Sequence, residues 1–265
     1  MLPGKDFKRG TVESYGYVVP YAEAGEGEVV VFLPGSAGLE MSTAKDMLSA
    51  EYRVIELDPP GWGETPQVTA RMKQRQLAVI LADALIELGV ETCHLVGTSM
   101  GCTNAMWIAE QFPDRVQSLV LEGPMLFYRS EDLANPDEGP IIALRNGAPP
   151  PDVSAYPAPP AHPNKPWATA DFFREQMKKR FKMFRWTDHP ADNRAIERFA
   201  NATVIPITLA LGTQDEILKP CYADRFAEVV PSARITMIEG GTHDLQNTAP
   251  LAFVNVVKDA IAAAD

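Results

Sequence analysis

Runs of β-branched and apolar residues alternate with amphipathic helical runs along most of this chain, and that alternation narrows the possible folds more than any single motif. Strand signals lie at 16–22 and 29–33, separated by the turn residues AGEGE. A short helical run at 43–49 leads to a strand at 53–57. Leu77, Leu81, Leu85 and Leu88 then form one stripe of a helix that stops at Gly89. A strand at 93–96, a helix at 102–111 and a strand at 116–121 follow. The pattern predicts an α/β protein with a mostly parallel sheet and helices on both faces.

The alternation stops after Pro124. Residues 149–166, PPPDVSAYPAPPAHPNKP, hold too many prolines for a helix or central strand, because each lacks the N–H donor and has a fixed φ. A helix is predicted at 170–185, with Phe173, Met177, Phe181 and Phe184 on one stripe and Arg and Lys on its other faces. Alternation resumes with a strand at 207–211, a helix at 222–229, a strand at 235–238 and a last helix from Pro250. The expected organisation is a core of residues 1–124 and 201–265, interrupted by an insertion at 125–200 that lies over one edge of the sheet.

The 265 residues suit one large domain with an inserted lid, and 46% hydrophobic residues are enough for a sizeable core. A formal charge of −11 argues against a nucleic-acid partner, which needs a basic footprint. Cys93, Cys102 and Cys221 include no C-x-x-C pair and predict neither a disulfide framework nor a zinc site. The opening MLPGKDFKRG has no apolar leader, and the longest tight apolar run, Val29–Leu33, is too short to cross a bilayer. The expectation is a cytoplasmic monomer or homodimer with no membrane partner. No metal-ligand cluster or phosphate-cradling loop is evident, so no metal and no cofactor are expected.

Within CHLVGTSMGCTNAMWIAE, a G-x-S-x-G sequence falls where a strand gives way to a helix. Such a sequence is weak evidence alone, and a serine there also suits a plain helix cap. Its position is that of a nucleophile elbow, where side chains two residues from the serine would clash with the neighbouring strand and helix. Ser99 needs a base, and histidine suits neutral pH. His94 begins a strand and reads as structural, while His162 and His189 precede prolines in the insertion. His243 follows the strand ITMIE in a Gly-Gly-Thr turn at the carboxyl end of the sheet, where open α/β sheets bind ligands.

The base in turn needs a carboxylate. Asp215 lies just past a strand in LALGTQDEIL, giving the order Ser99, Asp215, His243, and Glu122 also ends a strand, so either can serve; Asp215 is preferred, with Glu122 then a rim or substrate-contacting residue. Candidate oxyanion donors are the backbone amides of Met100, immediately after the serine, and of Ser36 in LPGSAGLE.

The segments VVVFLPGSAG, VIELDPPGWGETP, HLVGTSMGCTNAMWIAEQFPDRVQSLVLEGP, IPITLALGTQDEI and ARITMIEGGTHDLQNTAP together resemble the α/β-hydrolase superfamily over nearly the whole chain. The resemblance implies an eight-stranded, mostly parallel sheet, a helical cap after the sixth strand and a Ser99–His243–Asp215 triad. Pro34-Gly35 stands where the family usually has His-Gly, which affects the loop carrying Ser36. A serine at 99 is unlike the aspartate nucleophile of epoxide hydrolases and haloalkane dehalogenases. The superfamily's commonest activity implies hydrolysis of a carboxylic ester or lactone of a small, largely apolar molecule through an acyl-enzyme. A carbon–carbon bond hydrolase or lyase with the same triad is the alternative, and a non-catalytic binding module a second. Trp62, Met125, Phe127, Phe173, Met177 and Phe181 are the expected pocket walls.

Overall fold

The computed structural model describes residues 2–66, 68–137, 139–156, 158, 161–188 and 194–264. His189 lies outside them. Eight strands form one sheet among the described residues: β1 (Lys8–Ser14), β2 (Tyr17–Ala24), β3 (Val29–Leu33), β4 (Arg53–Leu57), β5 (Cys93–Thr98), β6 (Val116–Glu122), β7 (Ile207–Gly212) and β8 (Arg234–Ile238). Their order is β1-β2-β4-β3-β5-β6-β7-β8. β1 and β2 are antiparallel, β2 runs antiparallel to β4, and every later pairing is parallel.

β1 carried no strand signal, because KRGTVES is polar and sits at the sheet edge with mostly exposed residues. The turn that pairs it with β2 holds Tyr15 and Gly16 at φ 49° and 78°. Two successive positive φ values suit the twist of a tight hairpin.

Helices α1 (Thr43–Leu48), α2 (Gln74–Glu87), α3 (Gly101–Gln111), α4 (Gly139–Arg145), α5 (Ala170–Trp186), α6 (Arg194–Ala202), α7 (Tyr222–Val229), α8 (Leu245–Thr248) and α9 (Pro250–Ala262) complete the chain. The run VVVFL of β3 is apolar at every position because both faces of the sheet are covered. Val31 and Leu33 pack on one side with Leu77, Leu81, Leu85 and Met106 of α2 and α3. Val30 and Phe32 pack on the other with Ala44 and Leu48 of α1 and Phe253 and Val257 of α9. None of the described helices is long and apolar enough to cross a membrane.

Between β6 and β7 lie α4, α5 and α6. Thr169 caps α5, its hydroxyl accepting from the Phe172 amide at 3.2 Å. The C-terminal end of α5 is fastened to the loop after β4. Lys182 Nζ donates to the carbonyls of Trp62, Gly63 and Thr65, the Trp62 indole donates to Thr187 Oγ1 at 2.8 Å, and Lys179 pairs with Glu64 at 3.0 Å. α6 packs on α3, with Ile196 and Ala200 in the same buried cluster as Met106, so the sheet-flanking layer resumes before residue 200.

Candidate active site

Ser99 sits in the turn joining β5 to α3 with φ 51°, a left-handed conformation that costs a non-glycine residue roughly 1–3 kcal/mol. The surrounding structure holds it there. Its N–H donates to Glu122 O at 2.8 Å, and its carbonyl accepts from Cys102 N at 3.2 Å and Met125 N at 3.3 Å. The flanking glycines are required by close approach. A Cβ on Gly97 would lie 2.6 Å from Cys102 Cα, and one on Gly101 would collide with the carbonyl oxygens of Leu33 and Pro34.

The loops after β7 and β8 bring Asp215 and His243 together. His243 Nδ1 is 2.8 Å from Asp215 Oδ2 and 3.1 Å from Oδ1. Asp215 Oδ1 also accepts from the amides of Ile217 at 2.8 Å and Leu218 at 2.9 Å, which locks the carboxylate's direction. The His243 amide donates to Glu216 at 3.0 Å. Burial alone would lower the imidazole pKa. The hydrogen bond and charge of Asp215, with the charges of Glu216 and Glu122, outweigh it and hold the value above the ordinary one.

Ser99 and His243 each border the end of β6. Glu122 O receives the Ser99 amide, and a Cβ on the next residue, Gly123, would lie 2.8 Å from His243 Cε1. His243 Nε2 is buried and has no hydrogen-bond partner among the described residues, so it makes no bond to Ser99 Oγ in this structure.

Glu122, the rival carboxylate, does not bond to His243. Its Oε2 accepts from Thr98 Oγ1 at 2.7 Å and Gln246 Nε2 at 2.6 Å, and its Oε1 from Gln246 N at 3.2 Å. Burial, reinforced by the charge of Asp244, pushes its pKa up to about 7 against the pull of those hydrogen bonds.

The loop after β3 lies beside the serine: a Cβ on Gly35 would be 3.6 Å from Ser99 Cβ. Among the described residues, neither the Met100 nor the Ser36 amide donates to a protein acceptor. Asp58 braces this loop, its Oδ1 accepting from Leu39 N at 3.2 Å and its Oδ2 from Glu64 N at 3.1 Å. Burial raises the Asp58 pKa to about 6 despite those bonds.

The expected pocket residues are spread more widely. Met125 is tied to the serine turn through its amide. Trp62 has no exposed surface and packs in the main core, and the Phe127 ring faces Phe226 of α7 at 5.9 Å. Phe181 is buried with its ring 5.8 Å from Tyr156, while Phe173 and Met177 are half-buried on α5. Two features had no signature in the sequence. One is the Thr98–Glu122–Gln246 cluster. The other is a strap from the insertion onto α8 and its cap, in which Lys165 pairs with Asp244 and Asn164 Nδ2 donates to Thr248 O at 2.9 Å.

A family model described as alpha/beta hydrolase fold matches residues 28–147. The 2-hydroxy-6-oxo-6-phenylhexa-2,4-dienoate hydrolase of Comamonas testosteroni is 36% identical over 116 residues, covering 41% of this chain and 40% of that protein. The chain therefore matches less than half the length of that relative. A meta-cleavage product hydrolase from Pseudomonas fluorescens IP01 superposes with TM-score 0.73 at 18% identity, over 97% of this chain and 98% of that one. The carboxylesterase CesB from Bacillus subtilis superposes with TM-score 0.70 at 15% identity, over 97% and 92%. At such identities the two structures share the fold alone.

Proposed function

This chain has the α/β-hydrolase fold, and from that premise we propose that Ser99, His243 and Asp215 are a catalytic triad that hydrolyses a small acyl compound through an acyl-enzyme. The observation that carries this reading is the Asp215–His243 bond of 2.8 Å, together with a serine held at φ 51° whose amide is bonded to Glu122 at the end of β6. Asp215 fixes the tautomer with Nδ1 protonated, so Nε2 is the basic nitrogen, and it is the ring atom left without a partner. Ser99 Oγ attacks the substrate carbonyl while Nε2 takes its proton. Catalytic hydrogen bonds are often long or absent in an empty site and tighten when substrate binds. The amides of Met100 and Ser36 receive the oxyanion, and the Met100 amide lies at the positive end of α3. His243 then protonates the leaving group, and water, deprotonated by the same nitrogen, frees the acid.

The leaving group separates two readings. The relative from Comamonas testosteroni, 36% identical over 116 residues, is named for a 2-hydroxy-6-oxo-dienoate. This favours cleavage of the carbon–carbon bond of a vinylogous diketone acid, in which the departing carbon is stabilised as an enolate and takes the proton. It reverses the ranking drawn from sequence, which placed a carboxylic ester first. Ester cleavage stands second, since the same residues serve an alkoxide leaving group without rearrangement.

A fluorophosphonate should form one adduct, at Ser99, and Ser99→Ala should abolish both labelling and turnover. An adduct elsewhere, or none, would overturn the triad. Assay of 2-hydroxy-6-oxo-dienoates beside p-nitrophenyl esters then ranks the two reactions. Faster turnover of the esters would return the ester reading to first place.

A further inference from the structure

Glu122 lies at the end of β6, completely buried, with both carboxylate oxygens engaged by groups that flank the two proposed reacting residues. Thr98 immediately precedes Ser99, and Gln246 stands three residues past His243. Gln246 Nε2 bridges the Glu122 carboxylate and Thr98 Oγ1, at 2.6 and 2.8 Å, and its Oε1 accepts from Ser42 Oγ at 2.9 Å. Every polar atom of the Gln246 side chain is therefore used, which fixes the direction of its amide. The backbone of the same glutamate continues the link: its carbonyl accepts the Ser99 amide, and Gly123 packs against the His243 ring.

We propose that Glu122 is a positioning residue: through Thr98 on one side and Gln246 on the other, it sets the serine turn and the histidine loop in register. The inference rests on Ser99 and His243 being the reacting pair. Asp215, on the neighbouring strand end, already fills the orienting place on Nδ1, so Glu122 is left to align the loops rather than the ring. Three donors converge on its two oxygens, an arrangement that suits the acceptor-only carboxylate Glu122 carries above its pKa of about 7. A glutamine at 122 would bring an N–H into a ring already supplied with donors. The titratable groups that act on it or feel it are His243 and its neighbour Asp244, and the Cys102 thiol of α3, which donates to Glu122 O at 3.5 Å. The charge of Glu122 supports the protonated form of His243 across this gap.

The test is the rate at which a fluorophosphonate labels Ser99, measured from pH 5.5 to 9 in the parent and in Glu122→Gln, Thr98→Val and Thr98→Ser. Glu122→Gln should label on the order of tenfold more slowly at its optimum, the scale expected when reacting groups are slightly misplaced. Its acid limb should also move to lower pH, because the charge that Glu122 carries above about pH 7, which supports protonated His243, is gone. A general loosening of the fold would not move that limb in this direction. Thr98→Val should slow labelling several-fold, and Thr98→Ser, which keeps the hydroxyl, should recover most of the rate. Labelling of Glu122→Gln at the parental rate with an unmoved limb would overturn the proposal. If that variant does not fold, the threonine pair decides, and a valine variant as fast as the parent overturns it. A parent protein that takes no label at Ser99 overturns the triad beneath it, a result that is read before any variant is compared.

Discussion

His243 Nδ1 lies 2.8 Å from Asp215 Oδ2 while the other oxygen of that carboxylate is held by the Ile217 and Leu218 amides, so the imidazole is aimed by a group that is itself fixed to backbone. Asp215→Asn keeps the shape and removes the acceptor that specifies the tautomer. Turnover should fall by roughly 10³–10⁴ with little change in KM. A loss smaller than tenfold in steady-state kcat would show that another group orients the ring.

Under the proposed mechanism the raised pKa of His243 should set the acid limb of the pH profile. In the proposed triad neutral imidazole is the base, so kcat/KM should fall as pH drops through a value above the ordinary histidine pKa of about 6.5. A profile flat down to pH 6 would contradict the proposed role of the ring.

Gly101→Ala should be costly because the clash is with backbone. Its Cβ would meet the carbonyls of Leu33 and Pro34, which cannot rotate away. A destabilisation of about 2–3 kcal/mol is expected, as for an overpacked core site. Thermal melting should show it as a drop of roughly 5–10 °C, together with slower labelling of Ser99.

The ion pair of Lys45 and Glu56, 2.8 Å apart and almost wholly buried, supports the helix and strand beneath the loop after β3. Burial raises the Glu56 pKa to about 7 although Lys45 pulls it down. The folded state thus holds that proton more tightly than the unfolded chain, so the carboxyl's own contribution to stability declines as pH rises from about 4.5 to 7. Lys45→Met should cost about 3–5 kcal/mol where the carboxylate is left charged and alone. Denaturant midpoints should therefore separate variant and parent more at pH 8 than at pH 5.5. Lys45→Met/Glu56→Gln should recover much of the loss.

Lys182 joins α5 to three carbonyls of the loop at 62–65. Lys182→Met should raise amide hydrogen exchange in α5 while leaving β5 and α3 protected, and raise KM more than it lowers kcat. Unchanged exchange in α5 would show that the Trp62–Thr187 bond suffices to hold the helix.

Strands buried on both faces were legible because burial leaves few polar residues, none in VVVFL of β3 and only the hydrogen-bonded His94 and Thr98 in CHLVGT of β5. The serine turn was legible for a different reason, since close backbone approach leaves glycine alone at 97 and 101. β1 was not, because an edge strand of KRGTVES buries little. Asp215 and Glu122 could not be separated by position, as both end parallel strands that lie side by side. What distinguishes them is direction: Asp215 turns to His243, and Glu122 turns inward to Thr98 and Gln246. Such partnerships involve common polar residues at long sequence separation, with no local pattern to mark them.

The strap that pairs Lys165 with Asp244 and Asn164 with Thr248 grips the residues directly after His243. If the triad acts as proposed, a molecule passing beneath that end of the insertion would pull on the short stretch of backbone that follows the imidazole. Admission and proton transfer would then share one mechanical joint, and a guest bulky enough to prise the strap open would unseat the base that is meant to act on it.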